Sequence, residues 1–311
     1  MRAYGLSGTA EEGEVFEPAK DVLRVGNGLV NAYIVGHSDA WVLVDTGLPG
    51  LGGLIRRAAR RRFGAQAKPA AIVLTHGHFD HSGNVDALAA HWSVPVYAHP
   101  LELSYLAGRS VYPPQDPTVG GAMALLSRAF PRGGHRPLTT RVLPLGDELP
   151  AIPEWRSIHT PGHTPGHVSL FRDRDHLLLA GDALVTMDLD SWLGQVLRKP
   201  ELCNPPAPLT FDWESAAESV RQIAALAPDA IGAGHGLPVA GKNVATAINR
   251  FARSFRPPAR GRYIVEPASM GPAGLEWVPP PVPDPLARHA RAALMVLGIG
   301  LAAAAKRLRR A

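Results

Sequence analysis

The sequence predicts an α/β domain whose sheet lies buried beneath helices on its outer faces. Three observations predict it. Of the 311 residues, 46% are hydrophobic. Short apolar runs alternate with segments whose apolar residues recur at helical spacing. That round of strands followed by helices occurs twice, over residues 21–98 and again over 156–234. A chain of this length holds one large domain or two ordinary ones, with ample apolar material for a core. Its composition excludes a disordered chain, a disulfide-stapled mini-protein and a repetitive fibre.

Taken in order, residues 21–25, 30–36 and 41–45 read as strands rich in Val, Ile, Leu and aromatics, with Gly-Asn-Gly and His-Ser-Asp breaks between them. Residues 51–63 read as a helix with Leu51, Leu54, Ile55, Ala58 and Ala59 on one stripe, and its five arginines read as a solvated face rather than a phosphate site. Residues 70–74 form a buried-type strand ending in Thr75-His76-Gly77-His78-Phe79-Asp80-His81. Ser82 is then placed to cap a helix carrying Val85, Leu88, Ala89 and Trp92 on one face, and residues 94–98 are a further strand. The second round gives strands at 156–160, 168–172 and 176–180, a helix at 213–226 and a strand at 230–234.

Two segments interrupt this order. Residues 100–137 carry helical pieces around Tyr105 and over 123–130, separated by Tyr-Pro-Pro-Gln-Asp-Pro, and their apolar stripes favour an ordered lid. Residues 256–285 read as a Pro-rich connector, stiffest in Val278-Pro279-Pro280-Pro281-Val282-Pro283. It leads to a C-terminal helix at 286–311, an apolar run at 292–305 flanked by Arg288, Arg291, Lys306, Arg307, Arg309 and Arg310. That run is too short to span a membrane. Docking on the body or on a second subunit, and peripheral contact with anionic lipid, both fit it. The organisation expected is therefore a main domain at 1–255, the connector and the tail helix.

Charge follows the same division. Residues 1–249 carry 21 basic against 24 acidic side chains, and residues 250–311 carry 11 against 3. The net charge of +5 thus belongs to the tail, and a nucleic-acid face on the main domain is not expected. A lone cysteine, Cys203, cannot form an internal disulfide. Glu11, Glu12 and Glu14 stand where a secretory signal would need an apolar core, so a cytoplasmic location is expected, with membrane association through the tail as the alternative.

The chemistry gathers at strand ends. Residues 76–81 place three imidazoles and one carboxylate on a loop directly after a buried strand, a donor set suited to a borderline divalent ion such as zinc. Further on come Pro161-Gly162-His163-Thr164, the apolar strand ending in Gly181-Asp182, and Gly234-His235-Gly236, each at a strand end. His159 and His167, each four residues from His163, are rival donors. The remaining histidines, His37, His91, His99, His135, His176 and His289, read as surface or ordinary structural residues.

These motifs, together with Val42-Leu43-Val44-Asp45-Thr46-Gly47 and Asn31-Ala32-Tyr33, resemble in order those of the metallo-β-lactamase fold superfamily over about residues 20–240. The resemblance implies a four-layer αβ/βα sandwich with the helical insert near the active site. It implies one zinc held by His76, His78 and His163, a second held by Asp80, His81 and His235, and Asp182 bridging them; iron or manganese are the alternative ions. Asp45 would orient a ligand, and Asp80 would steer the nucleophile or pass a proton. The function implied is a dinuclear zinc hydrolase of the glyoxalase-II-like or lactonase-like branch, cleaving a small ester, lactone or thioester with a metal-bound hydroxide. The alternative is a sulfur dioxygenase-like enzyme with one iron. The expected partner is a small molecule, with Tyr105, Tyr112 and Phe130 as an apolar substrate wall.

Overall fold

The computed structural model describes residues 14–16, 19–26 and 29–284. The first sheet runs in chain order through β1 (Glu14–Phe16), β2 (Ala19–Gly26), β3 (Asn31–His37), β4 (Ala40–Val44), β5 (Ala71–Val73), β6 (Val96–Ala98) and β7 (Val142–Pro144). Pairing is antiparallel as far as β4 and parallel from β4 to β7. Parallel neighbours need a crossover, which α1 (Gly52–Phe63) supplies between β4 and β5, and α2 (Val85–Trp92) between β5 and β6. The insert follows β6 with α3 (Leu103–Leu106) and α4 (Gly121–Ser127).

The second sheet is built from β8 (Trp155–His159), β9 (Val168–Arg172), β10 (Leu177–Gly181), β11 (Ala230–Ala233) and β12 (Val239–Ala240), in the spatial order β12-β11-β10-β9-β8. Only β10 and β11 pair in parallel there. Between them lie α5 (Trp192–Leu197) and α6 (Trp213–Ala225), and α7 (Val244–Ser254) follows β12.

Successive side chains on the strands enter different layers. Val22, Tyr33, Val35, Val42 and Val44 meet Leu170, Leu177 and Leu179 between the sheets. Their neighbours Leu23, Ile34, Trp41 and Leu43 pack outward under Ile55, Ala58, Leu88 and Trp92 of α1 and α2. On the other side Phe171, Leu178, Ala180 and Ile231 pack under Trp213, Val220, Ile223 and Ile248. Both faces of both sheets are therefore buried. This is why the strands read as continuous apolar runs rather than alternating ones, and it yields the four-layer sandwich.

Three sequence expectations need correction. Ser82 does not cap α2; its hydroxyl donates to the carbonyls of Gly77 and His78, closing the histidine loop on itself. Asn84 occupies the N-cap position, and its side chain bonds Thr46, Leu48, Gly50 and Gly52, holding the loop after β4. Residues 256–284 are no free connector. Tyr263 and Ala268 are buried in the outer core, Tyr263 donates to the Pro114 carbonyl at 2.6 Å, and a hairpin of β13 (Ser269–Gly271) and β14 (Gly274–Trp277) is anchored through the Leu275 amide to Ser110. Tyr105 and Tyr112 of the insert are core residues, stacked with ring centroids 4.2 Å apart, so they offer no wall to a substrate. The expected C-terminal helix at 286–311 lies outside the described residues. Among those described, no helix is long and apolar enough to cross a membrane.

One buried ion pair ties the two sheets together. The Arg172 guanidinium, on β9, bonds both carboxylate oxygens of Asp21 on β2, reaches Asp175, and lies 4.7 Å above the Trp155 ring. Burial opposes the charge on Asp21, but the bonds and charge of Arg172 outweigh it and hold the carboxyl below its usual range. Arg172→Ala leaves that buried carboxylate only the half-exposed Arg174, 2.9 Å away, as an ionic partner, and is expected to cost up to about 3 kcal/mol in urea denaturation at neutral pH. A folded-state pKa below the unfolded one means the contribution of Asp21 is complete above the ordinary carboxylate range and is lost as the pH falls through the depressed value. The gap between wild type and Arg172→Ala should therefore narrow in acid.

Candidate metal centre

Five loops converge at one edge of the sandwich. The turn after β4 brings Asp45, whose φ of 57° is left-handed, a conformation asparagine and aspartate tolerate better than most side chains. The loop after β5 brings residues 75–82. The loop between β8 and β9 brings His163 and His167, the end of β10 brings Asp182, and the end of β11 brings His235. Parallel neighbours end on the same side of their sheet, which is why β4 and β5 bring Asp45 and the histidine loop together in the first sheet, and β10 and β11 bring Asp182 and His235 together in the second.

Three overlapping groups of donors result: His76, His78 and His163; His76, His81 and Asp182; and Asp80, His81 and His235, each with its ligand atoms within 4.8 Å of one another. His78 Nδ1 lies 2.9 Å from His163 Nε2. One Asp182 oxygen lies 3.1 Å from His235 Nε2, 3.5 Å from His81 Nε2 and 3.6 Å from His163 Nε2. Asp80 reaches to 3.5 Å from His235 Nε2. All seven side chains are buried.

Hydrogen bonds behind the rings fix which nitrogen faces the centre. His81 Nδ1 bonds Asp45 at 2.8 Å, and the same carboxylate accepts from the Thr75 amide and hydroxyl. His235 Nδ1 donates to the Leu29 carbonyl at 2.6 Å, His163 Nδ1 meets the Thr210 hydroxyl at 3.2 Å, and His76 Nδ1 meets that of Thr75 at 3.1 Å. This leaves His76 Nε2, His81 Nε2 and Asp182 Oδ1 buried with no hydrogen-bond partner. Unpartnered buried donors and acceptors that converge are costly unless a cation satisfies them, and nitrogen-rich, carboxylate-bridged surroundings suit a borderline divalent metal.

The rival histidines are otherwise engaged. His167 Nε2 accepts from the Asp182 amide at 2.8 Å and its Nδ1 meets Thr160, so neither nitrogen is free for an ion. His159 donates to the Pro165 carbonyl and stacks on His99.

Electrostatics divide the rings into two kinds. Burial, reinforced by neighbouring imidazoles, pushes His76 and His78 well below the ordinary value and His163 down to about 3, keeping them neutral as ligands must be. Burial also disfavours charge on His81 and His235, but Asp182 and Asp80, with Asp45 at His81, outweigh it and raise both. Burial would raise Asp182; His235 and His81 hold it well below the carboxylate range instead. Burial pushes the Cys203 thiol up to about 12, which suits no nucleophile.

Three contributors have little sequence signature. Thr210 comes from a segment with no motif. Phe79, within the histidine loop, pairs with Phe130 of the insert at 5.4 Å, and both rings are only partly buried. Glu102, fully buried, bonds two of the loops; its only sequence signal is a lone acid in an otherwise apolar stretch.

A sequence profile of the metallo-β-lactamase superfamily matches residues 25–235. The protein named probable metallo-hydrolase YflN, from Bacillus subtilis (strain 168), is 40% identical over 253 residues, covering 78% of this chain and 94% of that protein. Probable metallo-hydrolase YybB of the same organism is 31% identical over 161 residues, 52% of this chain and 64% of that protein. Among solved structures, Rm3 metallo-β-lactamase shares the fold with a TM-score of 0.50 at 21% identity, covering 73% of this chain and 80% of that one. With the profile spanning every strand-end motif from Asp45 to His235, the chain belongs to the metallo-β-lactamase superfamily.

Proposed function

We propose that this protein is a dinuclear metal-dependent hydrolase, with zinc as the resident ion, acting on a small ester, lactone or thioester. The observation that carries the reading is Asp182: one carboxylate at the meeting point of two donor groups, with an oxygen to spare. A single ion needs no such bridge, whereas two neighbouring cations need a negative group between them to offset their repulsion. The names of the relatives, probable metallo-hydrolases, agree with hydrolysis.

Divalent ions held by His76, His78 and His163, and by Asp80, His81 and His235, would supply Lewis acidity toward a carbonyl and toward water. The chain's own residues do the rest. Asp45, Thr210 and the Leu29 carbonyl hold His81, His163 and His235 in one orientation, so that little reorganisation accompanies reaction. Asp80, whose carboxylate faces His235, is placed to take a proton from the attacking water and return it to the leaving group. Phe79 and Phe130, half-buried and in ring contact, would form the apolar side of an entrance, rather than the two buried tyrosines.

Asp182→Ala should reduce metal content, read by elemental analysis of protein as purified, from two ions per chain toward one, and lower hydrolysis by about 100–1000-fold. His163→Ala should also lose metal, whereas His167→Ala should keep both ions and lose thermal stability, because His167 supports the Asp182 backbone. Wild-type protein with one iron per chain, oxygen uptake with a persulfide and no esterase or lactonase activity would replace the hydrolase with a dioxygenase. Phe130→Ala should raise KM for apolar esters several-fold with metal content unchanged. Identical KM values across an ester and lactone panel would place the entrance elsewhere.

A further inference from the structure

The loops carrying His76 and His78, and His163, belong to different sheets, yet His78 and His163 approach to 2.9 Å. The donor set is thus assembled from two sheets, and the chain itself has to fix the spacing of the two loops for both histidines to face one centre. We propose that Glu102 is a positioning residue for the metal centre, a carboxylate clasp that locks the two histidine loops together; the inference rests on the metal-binding reading above.

Glu102 stands at the start of the insert, just after β6, and is fully buried. One carboxylate oxygen accepts from the amide of Gly77, between His76 and His78, at 2.9 Å. The other accepts from the amide of Gly166, in the loop of His163, at 2.8 Å. The Tyr112 hydroxyl donates to the oxygen that Gly77 uses, and Tyr112 is itself held by its stack on Tyr105. A buried carboxylate is tolerated only when its lone pairs are satisfied in this way.

Both glycines are explained by the clasp. A Cβ at Gly77 would lie 2.5 Å from the Tyr112 hydroxyl, and one at Gly166 would lie 2.8 Å from Glu102 Cγ and 2.9 Å from its Oε1. Only a residue without a side chain lets the carboxylate reach each backbone amide. Glu102 is not an acid or base of the reaction, because both oxygens are engaged behind the ligands and none of the residue is exposed. It acts through the loops it joins. The two buried tyrosines of the insert serve this clasp rather than a substrate.

Glu102→Gln is nearly isosteric but has one acceptor oxygen, so its amide nitrogen must face one of the two N–H groups. Affinity for zinc, measured by chelator competition on the full chain, should fall by about 10–100-fold. The cobalt(II)-substituted protein should show a shifted visible absorption spectrum. Tyr112→Phe keeps both amide bonds and should weaken zinc by a smaller factor, about threefold or more. Ile223→Ala, which removes apolar contact beneath α6, is the control for instability alone: its unfolding midpoint should fall while zinc affinity stays at the wild-type value. Wild-type zinc affinity and cobalt spectrum in Glu102→Gln would overturn the clasp. If that variant does not fold, an unchanged Tyr112→Phe overturns it. Wild-type protein that binds no metal would instead remove the metal reading on which the clasp rests.

Discussion

Seven metal-type donors share one buried pocket without enough hydrogen-bond partners among themselves. This is the constraint to which the rest of the structure responds. Imidazole nitrogens and carboxylate oxygens taken out of water raise the free energy of the fold unless each meets a proton or a cation. The outward-facing nitrogens of His81, His76, His163 and His235 are satisfied by Asp45, Thr75, Thr210 and Leu29, while His78 Nε2 has no hydrogen-bond partner. The inward-facing atoms of His76, His81 and Asp182 are left for an ion. A cation bound by these atoms in the folded chain would therefore stabilise the fold by mass action.

No single sheet can meet that constraint. The first supplies Asp45 and the loop of residues 75–82, and the second supplies His163, Asp182 and His235. The centre exists only while the sheets keep their mutual register, and a set of polar ties maintains it. The Asn31 side chain, on β3, donates to the carbonyls of Ala233 and Gly236 on either side of His235, and the Tyr33 hydroxyl also donates to Ala233. Arg172 and Asp21 hold a distant corner of the same interface. Apolar packing between the layers is forgiving of small slides, whereas hydrogen bonds with fixed lengths and directions are not. The polar groups in this core thus act as alignment devices.

The insert and the segment after α7 show how packing reassigns sequence patterns. Tyr105 and Tyr112 carried the residue types of a substrate wall, yet they stack on each other beneath the histidine loop. Residues 256–284 are rich in proline, but Tyr263 and Ala268 find apolar partners and the hairpin finds Ser110. Proline restricts the backbone without deciding whether a segment is free or docked, which depends on the surface it meets.

The α/β layering and the strand-end clustering of donors were written in the sequence itself. Both follow from local rules: doubly buried strands are continuous apolar runs, and helices declare themselves by spacing. The histidine loop of residues 76–81, with His163, Asp182 and His235, stood out because metal-ligand side chains beside glycines at strand ends are a local pattern. The resemblance already named His163 rather than His167 as the ligand. Only the tertiary structure showed what engages His167, because the Asp182 amide that bonds its Nε2 is 15 residues away. Tertiary structure alone also showed Ser82 closing the loop instead of capping a helix, Phe79 facing Phe130, and Glu102 bonding amides 25 and 64 residues distant. Contacts between remote segments leave no periodicity in the chain, because they depend on the register of two sheets that forms only when the layers pack.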